Sequence, residues 1–530
     1  MLNSPQSYRG MVTSPHHLAS QTGLSILRDG GNAIEAAVAM AATIAVVYPH
    51  MNGIGGDAFW LIHEPGKLPV AIEACGRAGA KATPEFFHER GHTEMPKDGP
   101  LSANTVAGTV GGWHLALSKS DTWGGRLSLK RLLEEAVYYA EKGFALTSGH
   151  VASLSKRKPV VSKQPGFTDV YLNGDGIVSK AGARQVQPAL AETLKRMSKA
   201  GLRDYYTGDI AKSICADLAK LDSSVVLSDY NAYQAKEVKP LSSRLSCGTV
   251  YNLPPPTQGL TTLMILSMFD RLGISEADGF DYLHAMVEIT KQAHLVRDRE
   301  IAAPERMAQN AESYLTDSDL LARLENIDKD KALPWPLDRQ DGDTIWLGVM
   351  DGQGRSVSLI QSTYKPFGSG VVLPETGIIQ QNRGSSFSLK LSDPRAIAPG
   401  RQPFHTLNPA MAILNDGRVM TYGCMGGDGQ PQTLSALFSR YAMFGQGLQA
   451  SITAPRWFVG RCERADFSDV QVEGRFDEKV ITEMRQAGHD LRVLEDFSEE
   501  MGHAGAIVRH PDGRLEGATD PRSDGAVVGF

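Results

Sequence analysis

The chain has 530 residues, of which 42% are hydrophobic and 22% are charged, and its formal net charge is −6. This composition is that of an ordinary globular protein with enough apolar material for a large core. The sequence contains no run of five like charges and so offers no basic face to a phosphate backbone. Nucleic acid is therefore not an expected partner.

Three features of the sequence bear on where in the cell the protein is located, and they agree. The first ten residues lack the basic and apolar regions of a signal peptide. The most apolar run, Ala36 to Tyr48, is too short to span a bilayer and indicates a buried helix. Five cysteines without CxxC spacing favour reduced thiols; they are Cys75, Cys215, Cys247, Cys424 and Cys462. We expect a cytoplasmic protein that does not associate with membranes.

The first third of the chain alternates helices with short strands. The spacing predicts a helix over His17–Leu27, stopped by Asp29-Gly30-Gly31, and a second, almost wholly apolar helix over Asn32–Tyr48. Ala58–His63 and Pro69–Ala74 are predicted strands around the turn Glu64-Pro65-Gly66-Lys67. From Leu129 to about Thr290 the pattern is mostly helical, as in Leu190–Ala200 and Asp281–Ala293.

The second half begins with a connection and then returns to strands. Residues 302–343 are charged and interrupted by proline, which predicts an exposed connection. Asp351-Gly352-Gln353-Gly354 predicts a hairpin turn between Leu347–Met350 and Ser356–Gln361. A second predicted hairpin joins Ala410–Leu414 to Val419–Tyr422 through Asn415-Asp416-Gly417. Local pattern alone indicates only a mixture of α and β structure.

Two motifs suggest chemistry that their context does not support. His88-Glu89-Arg90-Gly91-His92 matches the HExxH zinc pattern, which needs both histidines on one face of a sustained helix. Gly91 is a predicted helix end, so His92 falls beyond the last turn, and we expect no metal. Gly53-Ile54-Gly55-Gly56 follows a helix and lacks a trailing Lys-Ser/Thr, so close backbone packing is a better interpretation than a phosphate loop.

Thr344 follows the polar turn Asp341-Gly342-Asp343 and opens a predicted strand through Met350. Taken alone, it is a β-branched residue suited to a strand. Its surroundings change that interpretation. The stretches T-I-W-L-G-V-M-D, G-Q-G-R-S-V-S, F-G-S-G-V-V-L-P-E-T-G-I-I and G-C-M-G-G-D resemble the γ-glutamyltransferase family. N-G-I-G-G-D-A-F-W-L-I, L-P-P-P-T-Q-G-L and G-A-T-D-P-R-S-D-G follow the family order, so the resemblance covers nearly the whole chain.

The resemblance implies an α+β fold, a four-layer αββα sandwich of the N-terminal nucleophile hydrolase type. It also implies self-cleavage between Asp343 and Thr344, giving a large subunit (1–343) and a small catalytic subunit (344–530) that form one intertwined domain. The freed α-amine of Thr344, with a reference pKa of about 7.7–8.0, would activate its own hydroxyl. Gly426 and Gly427 match the family's oxyanion-hole pair, for which the alternative is a tight turn. Ser362 matches a hydroxyl that supports the amine, for which the alternative is a solvent-facing strand serine.

The chain departs from the family in the substrate pocket. The family's ammonium-binding Asp falls at Ser386, and its amide residue falls at Arg383, a planar fork suited to carboxylate. The family's serine pair falls at His405-Thr406, and an asparagine near the nucleophile falls at Tyr364. The family's carboxylate-binding Arg falls at Cys75, two residues before Arg77. The pocket is thus predicted to have lost its ammonium site and kept a carboxylate site.

These departures favour a small anionic amide as substrate. Oxamate is the simplest, and M-G-G-D-G-Q-P-Q-T resembles the family's oxamate amidohydrolase branch, which serves purine breakdown. The alternatives are a γ-glutamyltransferase or γ-glutamyl hydrolase, a cephalosporin-acylase-like hydrolase, and a non-processing relative that acts as a scaffold. The resemblance implies no cofactor, and a dimer of large–small heterodimers is a further expectation.

Overall fold

The computed structural model describes residues 3–172, 176–334, 343–460 and 470–530. The strands are β1 (Gln6–Ser7), β2 (Gly10–Ser14), β3 (Asp57–His63), β4 (Val70–Ala74), β5 (Phe144–Ala145), β6 (Arg184–Gln185), β7 (Lys236–Val238), β8 (Leu241–Leu245), β9 (Gly248–Asn252), β10 (Asp343–Asp351), β11 (Ser356–Tyr364), β12 (Ala410–Leu414), β13 (Val419–Cys424), β14 (Trp457–Val459), β15 (Val470–Glu473), β16 (Leu491–Leu494), β17 (Ala504–Arg509), β18 (Leu515–Thr519) and β19 (Ala526–Gly529).

The helices are α1 (His17–Arg28), α2 (Ala33–Val47), α3 (Pro84–His88), α4 (Thr109–Thr122), α5 (Leu129–Lys142), α6 (Ser148–Val161), α7 (Phe167–Tyr171), α8 (Pro188–Ala200), α9 (Asp204–Thr207), α10 (Asp209–Lys220), α11 (Leu227–Ala232), α12 (Gly259–Leu272), α13 (Phe280–Glu300), α14 (Asp317–Leu324), α15 (Gln430–Phe438), α16 (Leu448–Thr453) and α17 (Glu478–Gln486). Among the described residues, no helix combines the length and apolar character needed to cross a membrane.

Two seven-stranded antiparallel sheets form the centre of the molecule. The first has the order β1-β18-β17-β13-β12-β9-β8, and the second has the order β19-β2-β10-β11-β3-β4-β7. Each sheet combines strands that precede Thr344 with strands that follow it. In the second sheet β10 lies between β2 and β11, so the strand that Thr344 opens is central rather than an edge.

The positions of the buried apolar side chains define the layers of the fold. Odd-numbered residues of β10, such as Ile345 and Leu347, pack with α1, α2 and α5 on the outer face of the second sheet. Even-numbered Trp346 packs between the two sheets with Met411 of β12. Helices α12, α13 and α15 cover the outer face of the first sheet. The four-layer αββα sandwich is therefore confirmed.

Local sequence explains the elements nearest the active centre. Helix α2 begins at a capping box, in which Asn32 accepts from the Glu35 backbone and Glu35 accepts from the Asn32 backbone. Gly56 lies so close to β11 that a Cβ there would stand 2.1 Å from the Ser362 carbonyl oxygen. The predicted role of this glycine motif as close backbone packing is confirmed.

Most predicted elements are confirmed, including α1, α2, β3, β4, α8 and both hairpins. Helix α13 is longer than predicted. The range Leu129 to Thr290 is mostly helical, as predicted, but it also contains the short strands β5 to β9, and α14 interrupts the predicted connection. The rest of that connection, residues 335–342, lies outside the described residues, as does Cys462.

Candidate active site

Thr344 is fully buried near the start of β10, and its Oγ1 makes no hydrogen bond to any residue that the structure describes. Because Trp346 faces the space between the sheets, strand alternation sends Thr344 into the same space. The β10–β11 register shifts here: Asp343 pairs with Tyr364, and Ile345 pairs with Gln361. Thr344 thus stands opposite a bulge formed by Ser362 and Thr363, a feature common beside active sites.

Ser362, on the neighbouring strand, accepts a 2.7 Å hydrogen bond at its Oγ from the Tyr364 backbone N–H. It is buried, so the alternative of a solvent-facing serine was wrong. Tyr364 has a φ of 84°, which is rare for a residue with a side chain. Strained backbone of this kind is concentrated at functional sites.

Gly426 and Gly427 form the turn that follows β13. Both have positive φ, 129° and 51°, which favours glycine at both positions. The Gln258 side chain holds this turn, since its Nε2 donates to the Gly427 carbonyl at 2.8 Å and to the Thr406 carbonyl at 2.7 Å. Gln258 lies in the quoted L-P-P-P-T-Q-G-L motif, but sequence reasoning gave it no role.

Arg383 is almost completely buried, and its guanidinium lies 3.7 Å from the centre of the Tyr364 ring. One terminal nitrogen, Nη2, donates to Thr406 Oγ1 at 3.2 Å. The other, Nη1, has no hydrogen-bond partner among the described residues. Burial lowers the Arg383 pKa to about 10, so the guanidinium stays charged at neutral pH. A buried cation with a spare donor is a ready carboxylate site.

Ser386 lies close to Arg383, but its hydroxyl is already committed. Its single O–H is shared between the Arg383 carbonyl at 2.8 Å and the Phe404 carbonyl at 3.1 Å. The hydroxyl therefore fixes the backbone that carries Arg383.

Arg77 and Cys75 are close in sequence but differ in how far their side chains are buried. Arg77 is partly exposed and donates Nη1 to the Gly400 carbonyl, and no described contact joins it to Arg383 or Thr344. Cys75 is buried, and burial raises the pKa of its thiol well above the usual range. Its Sγ lies 3.5 Å from Gln402 Nε2.

Asp57 and His405 form a buried pair, with His405 Nε2 3.6 Å from Asp57 Oδ2. Burial and the nearby Arg383 keep the His405 pKa far below its usual value, so the ring is neutral. Burial raises the Asp57 pKa to about 7. Sequence reasoning missed Asp57, although it lies within the N-G-I-G-G-D-A-F-W-L-I stretch; a carboxyl group in that apolar context was the available signal.

A cavity of about 420 Å³ adjoins this site. Ser386 and Asp428 line it, and so do Arg297, Arg395 and Phe404. Asp428 directly follows the glycine turn, and Arg297 Nη2 lies 3.4 Å from its Oδ2. The cavity therefore reaches Ser386, one of the predicted substrate residues, and Asp428, the residue that follows the glycine turn.

A group of buried histidines packs nearby. His50 and His150 rings meet edge to face at 4.9 Å, and neither ring makes a hydrogen bond within the described part of the chain. The His503 ring faces His50, and the His503 carbonyl accepts from the Met425 backbone beside the glycine turn. His16 completes it. Burial lowers the pKa of His16 to about 3 and those of His150 and His503 to about 4.

Two further groups bear on metal binding. Helix α3 ends at His88, whose Nδ1 bonds the His92 carbonyl, so the two histidines do not share a helical face. His284, Glu288 and His489 are buried with ligand atoms within 4.8 Å of one another. Lys291 Nζ already lies 2.8 Å from Glu288 Oε1, and this ammonium supplies the positive charge that a metal would bring. The group is best described as an internal ion-pair network.

The Gamma-glutamyltranspeptidase family model matches residues 19–530. The chain belongs to the γ-glutamyltranspeptidase family. It is 50% identical to the oxamate amidohydrolase proenzyme of Klebsiella pneumoniae, over the full length of both chains. It is 37% identical to the glutathione hydrolase-like YwrD proenzyme of Bacillus subtilis, covering 98% of each chain.

Solved structures agree with this placement in the γ-glutamyltranspeptidase family. Cephalosporin acylase from Bacillus halodurans superposes with a TM-score of 0.89 at 32% identity, covering 100% of this chain and 97% of that one. The family resemblance and the fold inferred from sequence are confirmed. The assignments of individual site residues, the subunit boundary and the location in the cell stay predictions.

Proposed function

We propose that this member of the γ-glutamyltranspeptidase family is a self-processing amidohydrolase that cleaves a small carboxylate-bearing amide such as oxamate. The observation that carries the proposal is the buried Arg383, with one unpartnered nitrogen, near the strand that Thr344 opens. The similarity to an oxamate amidohydrolase proenzyme supports it.

Processing comes first in this proposal. Thr344 Oγ1 attacks the Asp343 carbonyl, and the peptide nitrogen leaves as the Thr344 amine while the acyl group moves to the oxygen. Water then hydrolyses the ester and releases the Asp343 carboxyl group. The result is a large subunit (1–343) and a small subunit (344–530), which remain one intertwined domain because each sheet takes strands from both.

Catalysis repeats the same chemistry on the substrate. The Thr344 amine accepts the hydroxyl proton, and the oxygen attacks the amide carbon. Backbone N–H groups of Gly426 and Gly427 stabilise the oxyanion, and ammonia leaves. Water hydrolyses the oxalyl ester, so oxamate and water give oxalate and ammonium. Arg383, with Thr406 and Tyr364 holding it, pairs with the substrate carboxylate.

A γ-glutamyl amide is the second candidate, supported by the glutathione hydrolase-like relative. Such a substrate carries an α-ammonium, and Ser386 offers no free anion for it. The oxamate proposal includes two further points. The protein acts in cytoplasmic purine breakdown, and it assembles as a dimer of large–small heterodimers.

Ammonia release across oxamate, γ-glutamyl amides and glutaryl amides tests the substrate. We expect kcat/KM to be highest for oxamate. A preference for γ-glutamyl amides would replace the proposal with the second candidate. A single band on a denaturing gel, with no ammonia released from any amide, would favour a non-processing scaffold.

A further inference from the structure

Four side chains lie in a row across neighbouring strands at one end of the second sheet. Ser362 of β11 pairs in register with Asp57 of β3. Thr344 adjoins Ser362 on one side, and Cys75, which follows β4, adjoins Asp57 on the other. On β3, odd-numbered Phe59 packs between the sheets, so strand alternation directs Asp57 into the same space as Thr344.

The Asp57 carboxyl group is held rigidly by one oxygen only. Its Oδ1 accepts hydrogen bonds of 3.0 Å from the Gly76 and Gly108 backbone N–H groups. Its Oδ2 is buried and unpartnered within the described ranges. The Gln381 amide also faces the carboxyl group, with one Nε2 hydrogen donated to the Val106 carbonyl at 3.2 Å, and His405 Nε2 lies 3.6 Å from Oδ2. One oxygen of Asp57 is therefore available to a ligand.

The charges around Asp57 limit what that ligand can be. The titratable groups that face it are Arg383, His405, Cys75, Tyr205, Tyr206 and Tyr233. The histidine is neutral, and burial raises the pKa values of the thiol and the three phenols, so these stay neutral too. Arg383 and Asp57 are then the charged side chains that face each other here, beside the Arg297–Asp428 ion pair and the α-amine of Thr344 that processing frees.

A substrate carboxylate would make one Arg383 cation face two anions if Asp57 stayed ionised. An uncompensated charge in a buried site strongly disfavours binding. A protonated Asp57 removes that cost and turns Oδ2 into a donor aimed at the ligand. Burial raises the pKa of Asp57 to about 7, so the proton is readily available near neutral pH.

We propose that Asp57 is a substrate-binding residue that takes one proton from solvent when an anionic amide binds beside Arg383, and then donates a hydrogen bond to it. The proton returns to solvent when the product leaves. This inference rests on the proposed function, because it needs a carboxylate-bearing substrate. It makes Asp57 a specificity determinant for monoanions, with the neutral acid as the binding form.

The test is the pH dependence of KM for oxamate with the processed enzyme between pH 6 and 9. Because one proton enters with the substrate, KM of the wild type should rise tenfold per pH unit above the Asp57 pKa. Asp57→Asn keeps a neutral donor and cannot titrate, so its KM should lose this tenfold rise, and any dependence that the Thr344 amine contributes should be the same in both enzymes. Asp57→Glu restores a titrating carboxyl group and should restore the slope with a shifted midpoint.

Asp524→Asn is the matched control, since Asp524 is another carboxyl group, partly buried, whose pKa burial raises. It should keep the wild-type slope. A slope in Asp57→Asn equal to that of the wild type would overturn the inference. So would a flat wild-type profile, which decides the question even where the variants fail to fold. Absence of turnover of every anionic amide would instead overturn the proposed function.

Discussion

At the scale of single residues, Thr344 and its neighbour Thr363 allow a direct comparison. Both are buried threonines whose Oγ1 has no hydrogen-bond partner in the described structure. They lie opposite one another at the β10–β11 bulge. If Thr344 acts in the chemistry and Thr363 only in packing, the same substitution should give different results at the two positions.

We expect Thr344→Ala to remain one chain of 530 residues without amidase activity, because it lacks the attacking hydroxyl. Thr363→Ala should still yield two fragments on a denaturing gel. N-terminal sequencing of the small fragment should begin at Thr344. A different first residue, or cleavage of Thr344→Ala, would remove Thr344 from the mechanism.

Arg383 can be compared with a second buried arginine. Arg383→Met preserves much of the apolar volume but removes the cation, and we expect KM for oxamate to rise about a hundredfold, since roughly 3 kcal/mol of pairing is lost. Self-cleavage should persist, because it needs no substrate carboxylate. Arg440 is equally buried, but it bonds Asp278. Arg440→Met should lower the unfolding temperature and leave KM unchanged; equal KM effects would make Arg383 a packing residue.

At the scale of elements, local patterns predicted what depends on neighbours in sequence. The β10–β11 hairpin was predictable because Asp351-Gly352-Gln353-Gly354 marks its turn, and α2 because a cap precedes an apolar run. Strand β9 pairs with β12, more than 150 residues later, and that partner cannot be read from local spacing. For this reason the local pattern did not predict β9 as a strand within this mostly helical range.

The residues of the site likewise fall into those that local motifs predict and those that depend on contacts between distant segments. The nucleophile, the glycine turn and Arg383 were predicted because contiguous motifs carry them. Asp57 and Gln258 were missed because their roles arise only when strand register and the 405–406 segment are known. Arg77 was predicted to bind substrate because it follows Cys75 by two positions in sequence. In the structure its guanidinium donates to the Gly400 carbonyl.

The link between the glycine turn and the 405–406 segment leads to a prediction for Gln258. Gln258→Leu leaves the Gly427 and Thr406 carbonyls without their buried donor, which costs about 1–3 kcal/mol for each group. We expect kcat for oxamate to fall about tenfold to a hundredfold, since misplaced oxyanion donors act on the transition state.

Gln432 provides the control, because its amide also exchanges hydrogen bonds with backbone, at Val459. Gln432→Leu should reduce thermal stability without a comparable fall in kcat. Gln258→Asn, shorter by one methylene group, should not restore the rate. A Gln258→Leu enzyme with normal kcat and lower stability would show that the link is structural only.

At the scale of the whole molecule, the buried histidines set the pH range of stability. Their folded pKa values lie below the ordinary value of 6.5, so the unfolded chain binds more protons as pH falls. The contribution of these histidines to stability is complete above about pH 6.5 and declines down to about pH 4, by up to about 1.4 kcal/mol per pH unit for each histidine.

Denaturant midpoints at pH 8, 6 and 5 measure this decline. His150→Gln should make the dependence on pH shallower by one proton, whereas His88→Gln, at an exposed position, should leave it unchanged. Equal slopes in the two variants would mean that His150 does not contribute to acid sensitivity.

The interleaved sheets have a consequence for the order of the polypeptide. The Arg9 backbone N–H donates to the Phe530 carbonyl at 2.9 Å, while Thr344 lies deep inside. A circular permutant could therefore join Phe530 to the segment that precedes Arg9 through a linker and begin at Thr344. After removal of its initiator methionine, that chain would present the threonine amine with no peptide bond to cut. We expect it to release ammonia from oxamate as an unprocessed single chain, and a folded but inactive permutant would contradict the role of that amine.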